Sequence, residues 1–224
     1  MKELTFEQLV EKIKEKEPFS FSRFGDGEWN AIFKKEGGNC DGHEYYPDLG
    51  DELSAIVRSQ QKYYMGMQPM ATRIQGDRIS EFTELHKLNL DWVNADILHK
   101  ASIKGKIYDF FDVLKGTPVV MAAPIYLKTI NKYFDYNEFV EIPEKNCWLQ
   151  RNRLSYELSK ICNRYKNKNE HAVVLIIASM AANVLVDELY KQYGDLITFI
   201  DTGSVLDPYV GIKTRTYHND LNIV

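Results

Sequence analysis

Two carboxylates separated by one glycine, Asp26 and Glu28, stand just after an arginine in the run Arg23-Phe24-Gly25-Asp26-Gly27-Glu28-Trp29. Their hard oxygens suit Mg²⁺ or Mn²⁺, ions that bind through one or two acids and complete their shells with water and substrate phosphates. A cation held there would neutralise charge gathering on a departing diphosphate, so the pattern suits transfer from a diphosphate-activated donor. In an extended segment residues two apart project to the same side, and the flanking glycines permit unusual backbone angles and close approach of a ligand. The same residues have a structural reading. Asp26 would cap a helix starting at Gly27, Glu28 would complement the helix dipole, and Arg23 would be an ordinary pairing arginine. The two roles are compatible, and spacing alone leaves both open.

A second acidic group lies near the end of the chain, in Asp201-Thr202-Gly203-Ser204-Val205-Leu206-Asp207-Pro208. An acid closing a buried strand, a glycine turn and a further acid make an active-site loop in which Asp201 or Asp207 is available as general base or ligand. Asp207-Pro208 reads equally well as a plain turn. The small residues after Ser179, in Ser179-Met180-Ala181-Ala182, would leave backbone N–H groups free for a phosphate at a helix start. They lack the GxGxxG fingerprint and the P-loop lysine, and tight helix-on-sheet packing explains the alanines as well.

Weaker groups also have two readings. Arg73 and Arg78 flank Gly76-Asp77 at the expected entry to a helix and would hold a phosphate or simply pair with acids. Asp41, His43 and Glu44 fall in a glycine-rich loop, residues 36–44, without metal-site spacing, so a mobile surface loop is expected. Lys213 and Arg215 would meet a diphosphate or be a solvated end, and His218 reads as a surface histidine.

These residues have to be positioned by elements that the periodicity reveals. Thr5 and Gln8 form a capping box ahead of Phe6, Leu9, Val10 and Ile13. A strand follows over 19–24, with Phe19 and Phe21 on one side and Ser20 and Ser22 on the other, then a helix carrying Trp29, Ile32 and Phe33. Helices are expected over 48–60 and through Ile79, Phe82 and Leu85, with a strand at 63–67 between them and a break at Gln68-Pro69. One helix should carry Ile103, Ile107, Phe110, Phe111 and Leu114 as far as Gly116. Beyond it strands at 118–122, 139–142, 171–178 and 196–200 alternate with helices at 125–134, after Trp148, and from Met180 to Tyr193. Strands without polar alternation that alternate with helices indicate a parallel sheet covered on both faces. The expected class is therefore α/β and Rossmann-like, a mostly parallel sheet flanked by helices in a single domain over 1–224. In such sheets ligands gather beyond the carboxyl ends of the strands.

Composition narrows the partners. The chain has 224 residues, 44% hydrophobic and 27% charged, which is enough for a sizeable core. A net charge of −4 gives no overall attraction to nucleic acid. The three cysteines form no CxxC pair, and no apolar run is long enough to span a bilayer, so a reducing, cytoplasmic setting is expected. Met1 and Lys2 lead directly into the first helix.

The opening Arg23-Phe24-Gly25-Asp26-Gly27-Glu28, taken with the small-residue helix start and the closing Ile200-Asp201-Thr202-Gly203, resembles the bacterial glycosyltransferases of GT-D fold, a family long catalogued as a domain of unknown function. The similarity runs over about residues 18–217. It implies a nucleotide-sugar donor such as UDP-glucose, a divalent metal (Mn²⁺ or Mg²⁺) held by Asp26 and Glu28, and a glycan or glycosylated acceptor. It further implies that Arg23, Gly25, Gly27, Ser179, Met180, Ala181, Thr202, Gly203 and Ser204 line the donor. The family pattern places a histidine after Ile-Asp-x-Gly and an acid shortly beyond; here Ser204 takes the first place, and Asp207 becomes the substitute candidate for the base, beside Asp201. The alternatives are a nucleotide-sugar hydrolase or other nucleotide-handling transferase, and a non-catalytic glycan- or nucleotide-binding module.

Overall fold

The computed structural model describes residues 3–219, 221 and 223; Met1 and Lys2, read above as leading into the first helix, lie outside the described residues. Helix α1 (Phe6–Lys14) opens with the expected box, in which Thr5 Oγ1 accepts from the Gln8 N–H and Gln8 Oε1 accepts from the Thr5 N–H. The chain then enters β1 (Ser20–Phe24). Phe19 and Phe21 join one core and Phe24 the other, as side-chain alternation requires.

In order, the remaining elements are α2 (Asp26–Ile32), α3 (Pro47–Arg58), β2 (Tyr64–Met67), α4 (Pro69–Leu85), β3 (Val93–Asn94), α5 (Ile97–Ile103) and α6 (Ile107–Lys115). They continue with β4 (Val119–Ala123), β5 (Glu138–Glu141), α7 (Arg151–Lys168), β6 (Val173–Ile176), α8 (Ala181–Tyr193) and β7 (Thr198–Asp201). Short 3₁₀ segments cover Ile125–Lys132, Cys147–Gln150, Gly203–Val210 and Thr216–Asn219.

The seven strands form one sheet in the order β3-β2-β1-β7-β6-β4-β5, every described pairing parallel. Strands β4, β6 and β7 are buried along their whole length, which is what apolar runs without alternation dictate once helices cover both faces. Residues of α2, α3, α4, α7 and α8 pack on one face, and those of α1, α5, α6 and the 3₁₀ segments after β4 and β7 on the other. Adjacent strands β1 and β7 therefore send the chain to opposite faces at their carboxyl ends. That divergence opens a crevice between them, the switch point at which α/β sheets take ligands.

Several expectations need correction. The helix expected across 103–116 is two, α5 and α6, because the chain turns at Gly105 with φ of +69°. The segment 125–132 is 3₁₀ rather than α. Gln68-Pro69 ends the strand pattern as expected and also starts α4, since proline fits the first helical turn, so Arg73 and Arg78 lie inside that helix on either side of a kink at Gln75 and not at its entry. Arg78 covers the Phe33 ring at 4.2 Å, Arg73 lies beside Met70, and Leu85 points to solvent. Among the described residues no helix is long and apolar enough to cross a membrane.

Candidate active site

Arg23, on β1, anchors the crevice. Its Nε donates to the Ala95 carbonyl at 2.9 Å, and Nη2 stands 4.0 Å from Asp96. The guanidinium lies against the backbone of Gly203, where a Cβ would meet Nη1 at 1.9 Å. Gly203 also holds φ at +54°, so this position requires glycine for both space and conformation. Asp201, at the end of β7, is 5% exposed, and its Oδ1 accepts the Gly203 N–H at 2.9 Å. Burial pushes its carboxyl up to about 6, while the Arg23 charge and the nearby backbone N–H groups pull the other way.

Glu28 turns back toward β1, and its Oε2 accepts the Gly25 N–H at 2.7 Å. Desolvation raises it to about 7, the Asp201 charge adds to the rise, and the Gly25 N–H and Arg23 oppose it. Acids from the two ends of the sequence thus share one electrostatic environment around Arg23. The Asn183 amide closes this junction from α8 by donating to the Arg23 carbonyl at 3.0 Å.

Asp26 differs from the sequence expectation. The helix begins at Asp26 itself with Gly25 as N-cap, so Asp26 caps nothing. Residues two apart on a helix are about 200° apart around its axis, so Asp26 and Glu28 diverge instead of pointing the same way. Asp26 is exposed, and its carboxylate has no hydrogen bond or ion pair among the described residues. Gly25 and Gly27 do not adopt left-handed angles; Gly25 makes room for Gln68, whose Oε1 would stand 2.3 Å from a Cβ there.

Ser179 adopts a left-handed φ of +48°, uncommon outside glycine, and its Oγ accepts from Asn39 Nδ2 at 2.9 Å. Met180 and Ala181 are buried, and Met180 lies against Gly27, so the start of α8 is roofed by the acidic turn and by Asn39.

The polar loop 36–44 is tied down at both sides rather than a free surface loop. It closes on itself through a bridge between Gly38 and Glu44, and Asn39 Oδ1 accepts the N–H groups of Asp41 and His43 at 3.0 Å each. His43 is buried, and burial lowers its pKa. Asp41 forms a two-pronged pair with Arg215, 174 residues away in sequence.

Asp207 is not in a surface turn. It is 2% exposed in the 3₁₀ segment after β7, where Tyr126 Oη donates to its Oδ1 at 3.3 Å and Thr214 Oγ1 to its Oδ2 at 2.7 Å. Burial raises it to about 6 against the pull of those hydroxyls and Arg215. Thr202 is buried and Ser204 half-buried at the β7 end, and the nearby Tyr217 ring stacks on His99 at 3.7 Å. His218 is fully buried instead of on the surface; its Nδ1 accepts the Thr214 N–H at 3.2 Å, and burial lowers it to about 4.

The structure therefore brings Arg23, Gly25, Asp26, Gly27, Glu28, Ser179, Met180, Ala181, Asp201, Thr202, Gly203 and Ser204 to one sheet edge, with Asp207 along the same edge. Asn39, Tyr126, Asn183 and Thr214 were not foreseen, and Asp41 was weighed only as part of a metal cluster in its loop. Tyr126 alone had a signal, since it follows the carboxyl end of β4. Among the described residues no three His, Cys, Asp or Glu side chains gather as metal ligands. Asp26, exposed and unpaired, fits a divalent cation only in the mode where one acid anchors the ion and substrate phosphates and water complete its shell.

Sequence comparison finds no matching protein-family model and no matching curated protein. Solved structures share the fold. A selenomethionine-substituted form of domain of unknown function 1792 superposes with a TM-score of 0.66 at 18% identity, covering 93% of this chain and 80% of that one. The domain described as having a distinct glycosyltransferase fold superposes at 0.65 and 17% identity, with 93% and 80% coverage. A glycosyltransferase of the same domain from Streptococcus sanguinis superposes at 0.65 and 16% identity, with 93% and 83% coverage. The chain thus has the glycosyltransferase fold of GT-D type that its opening and closing motifs led us to expect.

Proposed function

We propose that this protein is a metal-dependent glycosyltransferase that moves a hexose from a UDP-glucose-type donor to a hydroxyl of a glycan or glycosylated acceptor. The observation that carries the reading is the meeting of the Asp26–Glu28 turn with the Asp201–Gly203 turn at the β1/β7 switch point. Asp26 would hold a Mn²⁺ or Mg²⁺ ion, with Glu28 as the second candidate ligand, and the ion would supply positive charge to offset that on the departing diphosphate. Arg23 fixes Asp201 and the Gly203 turn against β1, which keeps the floor of the donor site rigid. Asp207 receives the acceptor proton, directly or through the Tyr126 hydroxyl that already donates to it. A carboxylate raised to about 6 is mostly ionised at neutral pH yet basic enough for that transfer.

Incubation with labelled UDP-glucose, Mn²⁺ and a glycan acceptor tests the proposal by formation of a labelled glycoside. Asp26→Asn should abolish that product while leaving the thermal midpoint nearly unchanged. Free glucose as the sole product in the presence of acceptor would mark a hydrolase, and donor binding without metal dependence or turnover would mark a binding module.

A further inference from the structure

Arg215 is the second arginine of the crevice, and its bonding differs from that of Arg23. Arg23 is committed on several sides, to Ala95, Asp96 and the Gly203 backbone. Arg215 has one side-chain partner, Asp41, which it meets fork to fork with both N···O distances at 2.5 Å, plus a bond from Nη1 to its own neighbour's carbonyl, that of Thr214. About a third of each side chain remains exposed, 30% for Arg215 and 27% for Asp41, and ion pairs open to water are weak and readily exchanged.

The pair joins two segments held at the carboxyl-end edge of the sheet, the loop 36–44 through the Asn39–Ser179 bond and the tail through the Thr214–Asp207 bond. Arg215 acts electrostatically on Asp207 and on Cys40, and Cys40 also senses Asp26. A diphosphate entering between these segments would meet the exposed Asp26 and the partly exposed Asp41, acids against which it needs a cation of its own. The planar fork that fits a carboxylate also fits a phosphate, and an arginine so preorganised gives up little freedom in exchanging one for the other.

We infer that Arg215 is a phosphate-binding residue of the donor site and that Asp41 is a placeholder whose carboxylate the donor's phosphate displaces. This rests on the nucleotide-sugar reading above. The exchange reaches the candidate base, because the adjacent Thr214 holds Asp207. It also frees the loop 36–44 from the tail, leaving that loop fixed to the sheet edge through Asn39 and Ser179.

Calorimetric titration of wild type, Arg215→Met, Arg215→Lys and Asp41→Asn with UDP and with uridine, each in chelator and in Mn²⁺, tests the inference. Arg215→Met should weaken UDP about 10- to 100-fold, the worth of a charge-assisted contact, and leave uridine unchanged. Arg215→Lys should fall between, since a point charge replaces the fork. Asp41→Asn should bind UDP more tightly than wild type, because the competitor is gone. If Arg215→Met binds UDP like wild type, or if Asp41→Asn weakens UDP as much as Arg215→Met does, the pair is only a strap and the inference fails while the donor reading stands. Wild type that binds no UDP overturns both. Should Arg215→Met fail to fold, the Lys and Asp41→Asn variants decide the question by the same opposite signs.

Discussion

Gly203→Ala probes the junction between the two ends of the chain. The new Cβ would lie 1.9 Å from Arg23 Nη1, and the residue would have to hold φ at +54°. Left-handed backbone costs a non-glycine residue roughly 1–2 kcal/mol. The contact also drives the guanidinium from its place, loosening the Nε bond to the Ala95 carbonyl and separating Asp201 from its countercharge, a loss of roughly 1.5–3 kcal/mol for a charge-assisted bond. Together these give a destabilisation of about 2.5–5 kcal/mol. In an Arg23→Ala background there is no guanidinium to displace, so the same substitution should cost only the backbone strain, about 1–2 kcal/mol. Urea denaturation of the four proteins therefore yields a coupling of about 1.5–3 kcal/mol. Additivity to within about 0.5 kcal/mol would show that Arg23 does not pack on the Gly203 turn, and the described junction would be wrong.

Other outcomes follow from the desolvated acids. Glu28 rises from 4.5 to about 7 on folding. A carboxyl raised in the folded state favours folding below its unfolded value, and that advantage is lost as pH climbs through about 7, here by about 3 kcal/mol at ~1.4 kcal/mol per pH unit. Glu28→Gln keeps an acceptor for the Gly25 N–H and removes the titration, so in chelator its stability should decline less than that of wild type between pH 4.5 and 8; parallel urea curves would contradict this. Thr214→Val removes the 2.7 Å hydroxyl donor that holds Asp207 down, so the acidic limb of the transfer-rate profile, set near 6, should move to higher pH. An unmoved limb would rule out Asp207 as the base.

The parallel sheet was legible because β4, β6 and β7 are apolar on both faces and are spaced by helices, a pattern that has few other solutions. Strand β3 was not, since it is two residues long at the sheet edge and leaves no periodicity to find. The acidic turn could be located from its glycines and its place after a strand, but the direction of its acids could not. One residue's difference in where α2 starts separates Asp26 from Glu28, and that start is set by the Glu28 carboxylate reaching the Gly25 N–H. The partners of Asp207 and Arg215 were illegible for a different reason. Tyr126 and Asp41 come from elements 81 and 174 residues away, and only the strand order brings them to the same edge.

Backbone amide NMR during a UDP titration in Mg²⁺ asks most directly whether the donor enters between the ends of β1 and β7. The expected result is saturable shifts of the Gly25, Gly27 and Gly203 amides, with those of the amino-end turns at Gly116 and Gly194 unmoved. Shifts confined to other faces, or none at saturating nucleotide, would contradict the assignment of this crevice as the site of chemistry.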